Sequence, residues 1–168
     1  MLAGLALMSA GAAQAAAPCH GNPNALGTSR TIVVDPRDHV RIGTMSYTET
    51  LPLADKEVVL TFDDGPLPPH SDKILDMLAA ECVKATYFIV GAMAKAYPHL
   101  VRRTYDEGHT IGTHSQNHPL SFNRMSEAQA SRGAGDLHAD GRRCVVDHDR
   151  VAVTIPNERA IPGVRGGV

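Results

Sequence analysis

Val58 to Pro66, VVLTFDDGP, is a continuous apolar and β-branched run that stops on two adjacent carboxylates, Asp63 and Asp64, then a glycine and a proline. Such a run suits a strand buried on both faces, as in a parallel sheet. The Asp-Asp-Gly-Pro that ends it is turn chemistry. A second stretch, HSQNHP at 114–119, places His114 and His118 four residues apart. Carboxylate oxygens and imidazole nitrogens are donors that a zinc-type catalytic ion takes, and such a site needs three protein ligands and an open position. The fold is therefore decided by whether the chain brings these two stretches together.

The intervening sequence alternates. Ser71 to Val83 reads as a helix with Ile74, Leu75, Leu78 and Cys82 on one side. Ala85 to Val90 reads as a second buried strand. Ala92 to Glu107 reads as helix in two pieces broken at Pro98, with Gly108 as its stop. Thr110 to Thr113 is a short third strand. Ser126, with Met125 before it and Gln129 three residues on, opens another helix through a capping box. Strand, helix, strand, helix, strand predicts an α/β fold with parallel strands and right-handed crossovers. In such folds chemistry gathers at the C-terminal ends of the strands. Asp63 and Asp64 follow the first strand and His114 follows the third, so both motifs land on one rim.

On that rim Asp64, His114 and His118 can hold a cation while Asp63 takes a proton from water. Taken singly, each motif is also what an ordinary turn or loop looks like. Their coincidence on one rim is what favours a site.

At 168 residues the chain has the length of one domain. Hydrophobic content of 43% and charged content of 20% are ordinary for a globular protein, which permits a packed core. A net charge of -2 without a basic run points away from nucleic acid and from a polybasic membrane surface. No apolar run after residue 17 is long enough to span a bilayer. Met1 to Ala17 has the length, the apolar core and the Ala13-Gln14-Ala15 site of a secretory signal cut after Ala15, although it lacks an N-terminal Lys or Arg. An Ala-rich tail is the alternative. With the signal, the expected location is secreted or periplasmic. Residues 16–56 read as an extended leader with edge strands at Ile32–Val34 and Val40–Ile42. No Cys-x-x-Cys occurs among the three cysteines; Cys82 reads as a core residue, and Cys19 with Cys144 is a candidate pair.

TFDDGP and GTHSQNHP, together with ATYFIVG at 85–91 and EGHTIGTHS at 107–115, resemble the polysaccharide deacetylases of the fourth carbohydrate-esterase family, which include nodulation-type chitooligosaccharide deacetylases. The resemblance runs from about Lys56 to Ser131. It implies a partial irregular (β/α) barrel, with Asp63 as catalytic base and Asp64, His114 and His118 as metal ligands. It implies a divalent ion, zinc by default with cobalt or another ion as alternatives. The implied reaction is hydrolysis of an N- or O-acetyl group on an oligo- or polysaccharide.

The family pattern continues with an Arg-x-Pro segment, a pocket Trp and a Leu-x-His that supplies an acid. This chain has no Trp and no Arg-x-Pro after Ser131, and Val146-Asp147-His148 is only a distant echo of the last motif. From Arg132 onward there are six Arg and no Lys, without a sustained helix or strand period. The expected organisation is thus a signal at 1–15, a leader at 16–56, a partial deacetylase domain at 57–131 and an irregular tail at 132–168, truncated or frame-shifted. Two other readings stay open: an inactive fragment that still binds metal, and a noncatalytic carbohydrate-binding module. The aromatic content of 4% argues against the last.

Overall fold

Phe62, Tyr87 and Ile111 sit side by side in a three-stranded parallel sheet. The computed structural model describes residues 19–35, 37–39, 41–43, 47–134, 138–139, 142–143 and 151–156. The leader strand β1 is Thr28–Val34. The sheet consists of β2 (Thr61–Asp63), β3 (Thr86–Ile89) and β4 (Thr110–Thr113), in that order. Helix α1 (His70–Ala80) links β2 to β3; α2 (Gly91–Ala96) and α3 (Pro98–Asp106) link β3 to β4. This is the parallel βαβ order that the alternating pattern predicts. Pro98 opens α3, where its missing N–H costs nothing. Gly108, at φ 80°, takes the left-handed turn that ends it. Helix α4 (Glu127–Ala134) follows a single 3-10 turn, and Ser126 and Gln129 form the expected capping box.

The core lies between the sheet and α1 and α3. Leu75 and Leu78 from α1, Val101 from α3, Ala85 just before β3, and Tyr87, Ile89 and Ile111 from the strands form one cluster. Its central strand is β3, whose Thr86, Tyr87 and Ile89 are buried. Of Val58–Leu60 only the Leu60 carbonyl joins the ladder, accepting from Thr86 N–H (3.0 Å), and among the described residues β2 is an edge strand with Thr61 and Asp63 exposed. This corrects the reading of Val58–Phe62 as a strand buried on both faces. Successive residues of a strand point to opposite faces, so Leu60 and Phe62 pack against the core while Thr61 and Asp63 lie on the other, exposed face.

Helix α1 ends three residues before the expected Val83, where the leader caps it. Gly27 N–H donates to the Glu81 carbonyl (2.8 Å), Leu26 N–H to Glu81 Oε2 (3.0 Å) and Asn22 Nδ2 to the Ala80 carbonyl (3.0 Å). Carbonyls that a helix end leaves without a partner are thus satisfied from outside. Cys82, at φ 50°, turns the chain there and is joined to Cys19 by a disulfide. Cys82 is therefore a cross-link and not simply a core residue, and the candidate Cys19–Cys144 pairing is replaced. The Cα atoms are 5.6 Å apart, within the span a disulfide bridges. Because it closes a loop across 63 residues, the loop-closure estimate gives it about 4 kcal/mol of stability. Thermal unfolding in the presence of a strong reductant should accordingly shift to a clearly lower temperature.

The C-terminal segment also departs from expectation. Beyond α4 come β5 (His138–Ala139), β6 (Arg142–Arg143) and β7 (Val151–Pro156). β7 pairs antiparallel with β1, Ile32 opposite Val153, so the tail is not wholly irregular. VAVTI has the β-branched content of a strand, and β1 supplies its missing partner. The signal at 1–15, Cys144 and His148 lie outside the described residues, as does Val40; Ile42 makes only an isolated bridge to Glu49. Among the described residues no helix is long and apolar enough to cross a membrane.

His109, at the turn into β4, is buried and unrelated to the rim. Its Nδ1 accepts the Ala85 N–H (3.1 Å), so its proton sits on Nε2, which faces Glu107 Oε2 at 3.8 Å. Burial, reinforced by the nearby Lys84 charge, holds this imidazole down at about 4, against the opposing pull of Glu107. The unfolded chain binds this proton near pH 6.5 and the folded one only near 4. Stability from this group is therefore full above pH 6.5 and is lost as pH falls through that window, a loss on the order of 3 kcal/mol. Chemical denaturation between pH 7 and 4 should show this slope, and His109→Asn, whose Oδ1 still accepts from Ala85, should flatten it. The Glu57 carboxylate, held at about 2 by Arg30, titrates in a separate, lower window.

Candidate metal centre

The rim at the C-terminal end of the sheet is built by extending its ladders past its last residues. On one side, Asp64 N–H donates to the Phe88 carbonyl (3.1 Å) and Val90 N–H to the Gly65 carbonyl (3.3 Å). On the other, His114 N–H donates to the Ile89 carbonyl (2.9 Å), Gly91 N–H to the Ser115 carbonyl (3.0 Å) and Ala92 N–H to the Gln116 carbonyl (2.9 Å). The chain from Phe88 to Ala92 is thus flanked by both sequence motifs. Asp64, Ser115 and His118 all have positive φ (73°, 61° and 45°), a conformation that non-glycine residues adopt rarely and that clusters at functional sites.

These turns bring three of the four expected residues together. Asp64 Oδ1 is 3.3 Å from His114 Nε2 and 3.4 Å from His118 Nε2. One ligand atom from each residue lies within 4.8 Å of the others. The imidazole rings stack with centroids 5.0 Å apart. All three side chains reach solvent, Asp64 most. Asp63, the last residue of β2, is exposed on the same rim beside Phe88 in register.

The donor set fits a zinc-type ion. Two neutral imidazole nitrogens and a carboxylate oxygen are a common catalytic ligand set for zinc. A tetrahedron with bonds of about 2.0–2.1 Å has edges of about 3.3–3.4 Å. The two measured nitrogen-to-oxygen separations have that length, and are longer than a good hydrogen bond prefers.

Sequence reasoning missed Ser115. Its Oγ accepts the His118 N–H (2.9 Å) and so closes the short turn between the two imidazoles. The signal was present, because a serine inside a tight polar turn is often a side-chain cap for the backbone.

A family profile described as polysaccharide deacetylase matches residues 50–136, which is more than half of the chain. The chain belongs to the polysaccharide deacetylase family. It is 46% identical over 74 residues to a peptidoglycan-N-acetylglucosamine deacetylase of Bacillus cereus, covering 44% of this chain and 27% of that protein. It is 42% identical over 104 residues to a chitooligosaccharide deacetylase of Sinorhizobium fredii, covering 60% and 41%. Among solved structures, the peptidoglycan deacetylase PdaC from Bacillus subtilis aligns with 38% identity and a TM-score of 0.45, covering 48% of this chain and 40% of that one. The chain thus spans well under two thirds of the polysaccharide deacetylases it matches. Its parallel strands and crossover helices are part of the α/β architecture expected for the family.

Proposed function

We propose that this polysaccharide deacetylase chain carries out metal-dependent hydrolytic removal of an acetyl group, N-linked or O-linked, from a polysaccharide or chitooligosaccharide. The observation that carries this reading is the convergence of Asp64, His114 and His118, with an imidazole nitrogen of each histidine at a separation from Asp64 Oδ1 that matches an edge of a zinc tetrahedron. The family match and the relatives named as chitooligosaccharide and peptidoglycan deacetylases support the substrate class.

Asp64, His114 and His118 would hold a divalent ion, zinc by preference, with cobalt or another such ion as alternatives. A cation of this type supplies Lewis acidity toward a carbonyl oxygen and makes water more acidic. Asp63 is the base. Its exposed carboxylate on the rim accepts a proton as the water oxygen bonds to the acetyl carbon. As the carbon–nitrogen or carbon–oxygen bond breaks, Asp63 returns that proton to the leaving nitrogen or oxygen, which leaves acetate with an amine that ends protonated, or a hydroxyl. The open exposure of all three ligands suits a long substrate laid across the rim. The Cys19–Cys82 disulfide supports a secreted or periplasmic location, since such bonds persist in oxidising compartments.

Incubating the full chain with an acetylated chitooligosaccharide and zinc should release acetate, and a chelator should stop it. Zinc binding without acetate release would favour the reading as an inactive metal-binding fragment. Sugar binding that ignores zinc would favour a carbohydrate-binding module.

A further inference from the structure

At the end of the sheet opposite the rim, three polar side-chain atoms are buried without a hydrogen-bond partner among the described residues: Tyr87 Oη, Glu107 Oε2 and His109 Nε2. A fourth such atom, Thr86 Oγ1, belongs to the other face of β3, because neighbours along a strand point to opposite sides. The first three lie together. The Tyr87 and His109 rings meet edge to face with centroids 5.4 Å apart, and His109 Nε2 is 3.8 Å from Glu107 Oε2. Burial, and then the charge of the Glu107 carboxylate, push the Tyr87 hydroxyl above its usual range, with Arg103 opposing. Hydroxyl and carboxylate are thus within electrostatic reach of each other.

The chemistry of these atoms is complementary, but their spacing is not. His109 Nδ1 accepts the Ala85 N–H, so Nε2 carries a proton that needs an acceptor. Glu107 Oε2 is an acceptor that needs a donor, and the tyrosine hydroxyl can serve as either. Yet 3.8 Å is too long for a hydrogen bond. Both side chains are pinned by their other atoms. Glu107 Oε1 accepts from Arg103 Nε (2.6 Å), and Arg103 is itself tied to Asp76 on α1 (2.6 Å); the imidazole is held by the Ala85 N–H (3.1 Å). The gap is therefore set by the surrounding framework. Buried polar groups left bare lose their bonds to water without replacement, which native cores largely avoid.

We infer that one internal water molecule binds here, accepting from His109 Nε2, donating to Glu107 Oε2 and taking Tyr87 Oη as its third partner. Set off the line between the nitrogen and the carboxylate oxygen, it reaches each at about 2.8 Å. It keeps one hydrogen and one lone pair, so the hydroxyl can meet it as acceptor or donor. Buried waters make about three bonds of this kind to groups that otherwise have none. The site joins β3, the turn into β4 and the end of α3. It does not depend on reading Asp64, His114 and His118 as metal ligands.

The test is a crystal structure of the full chain at a resolution that shows ordered water, paired with the melting temperature of Tyr87→Phe. Density for one water within hydrogen-bond distance of all three atoms is expected. No water there, a water that touches fewer of them, or His109 Nε2 bonded directly to Glu107 would overturn the inference. Tyr87→Phe keeps the ring and removes only the hydroxyl. A hydroxyl bonded to the water contributes to stability, so the variant should melt about 2–4 °C lower than the parent. A bare buried hydroxyl costs stability, so its removal would leave the melting temperature unchanged or raise it, and that result overturns the inference as well. If Tyr87→Phe does not fold, the structure of the unsubstituted chain decides alone.

Discussion

Zinc titrated into the His114→Ala protein should bind on the order of 100-fold more weakly than to the parent chain, or not at all. Outer-shell substitutions already reach that range, and His114 is one of three proposed ligands. Removing it leaves Asp64 and His118, with their 3.4 Å separation, as a two-point site that water competes for readily. His118→Ala should behave alike, because the two imidazoles stand in nearly equivalent positions about Asp64 Oδ1. The metal-free protein should unfold at a temperature close to that of the parent, because His114 is partly exposed and lies outside the core cluster. Calorimetry with zinc and a melt in chelator separate the two effects. Unaltered zinc affinity in both variants would refute the site.

Asp63→Asn should abolish most acetate release while zinc content stays near that of the parent. The amide keeps the shape of the carboxylate but cannot take a proton from water, and loss of a positioned base costs on the order of 100- to 10,000-fold in rate. The two neighbouring carboxylates are placed differently: Asp64 turns at positive φ toward the imidazoles, while Asp63 ends the exposed strand. Metal analysis alongside rate measurement tells the two roles apart. If Asp63→Asn loses zinc and Asp64→Asn keeps it, the assignments are reversed.

The rim was legible in the sequence because two kinds of local information agreed. Period and punctuation placed the strands: Pro98, Gly108 and the Ser126 box all stand where their chemistry requires. Donor chemistry then picked out residues at the ends of those strands, and three of them meet. What stayed hidden depends on partners distant in sequence. Val58–Phe62 reads as a buried strand, yet whether a strand lies inside or at the edge is decided by what pairs with it. Cys82 looks like any small apolar residue on a helix face until the leader folds back to Cys19. Val151–Pro156 has strand composition, but its standing as an element comes from β1, more than a hundred residues earlier.

The pairing of β1 with β7 has a consequence for the order in which the molecule assembles. Neighbouring strands of the parallel sheet, such as Phe62 with Tyr87, are separated by about 25 residues, whereas Ile32 and Val153 are joined by a path of roughly 84 residues even through the Cys19–Cys82 disulfide, which raises the loop-closure cost by about 1.1 kcal/mol. Contacts of shorter range repay their entropy sooner. The sheet and its rim should therefore form early, with the β1–β7 ribbon closing over an already folded body. Hydrogen-exchange labelling during refolding should see amides of β3 and β4 protected before those of β1. The same order should make the ribbon the first element to open under mild denaturant, while the cluster of Asp64, His114 and His118 keeps its shape.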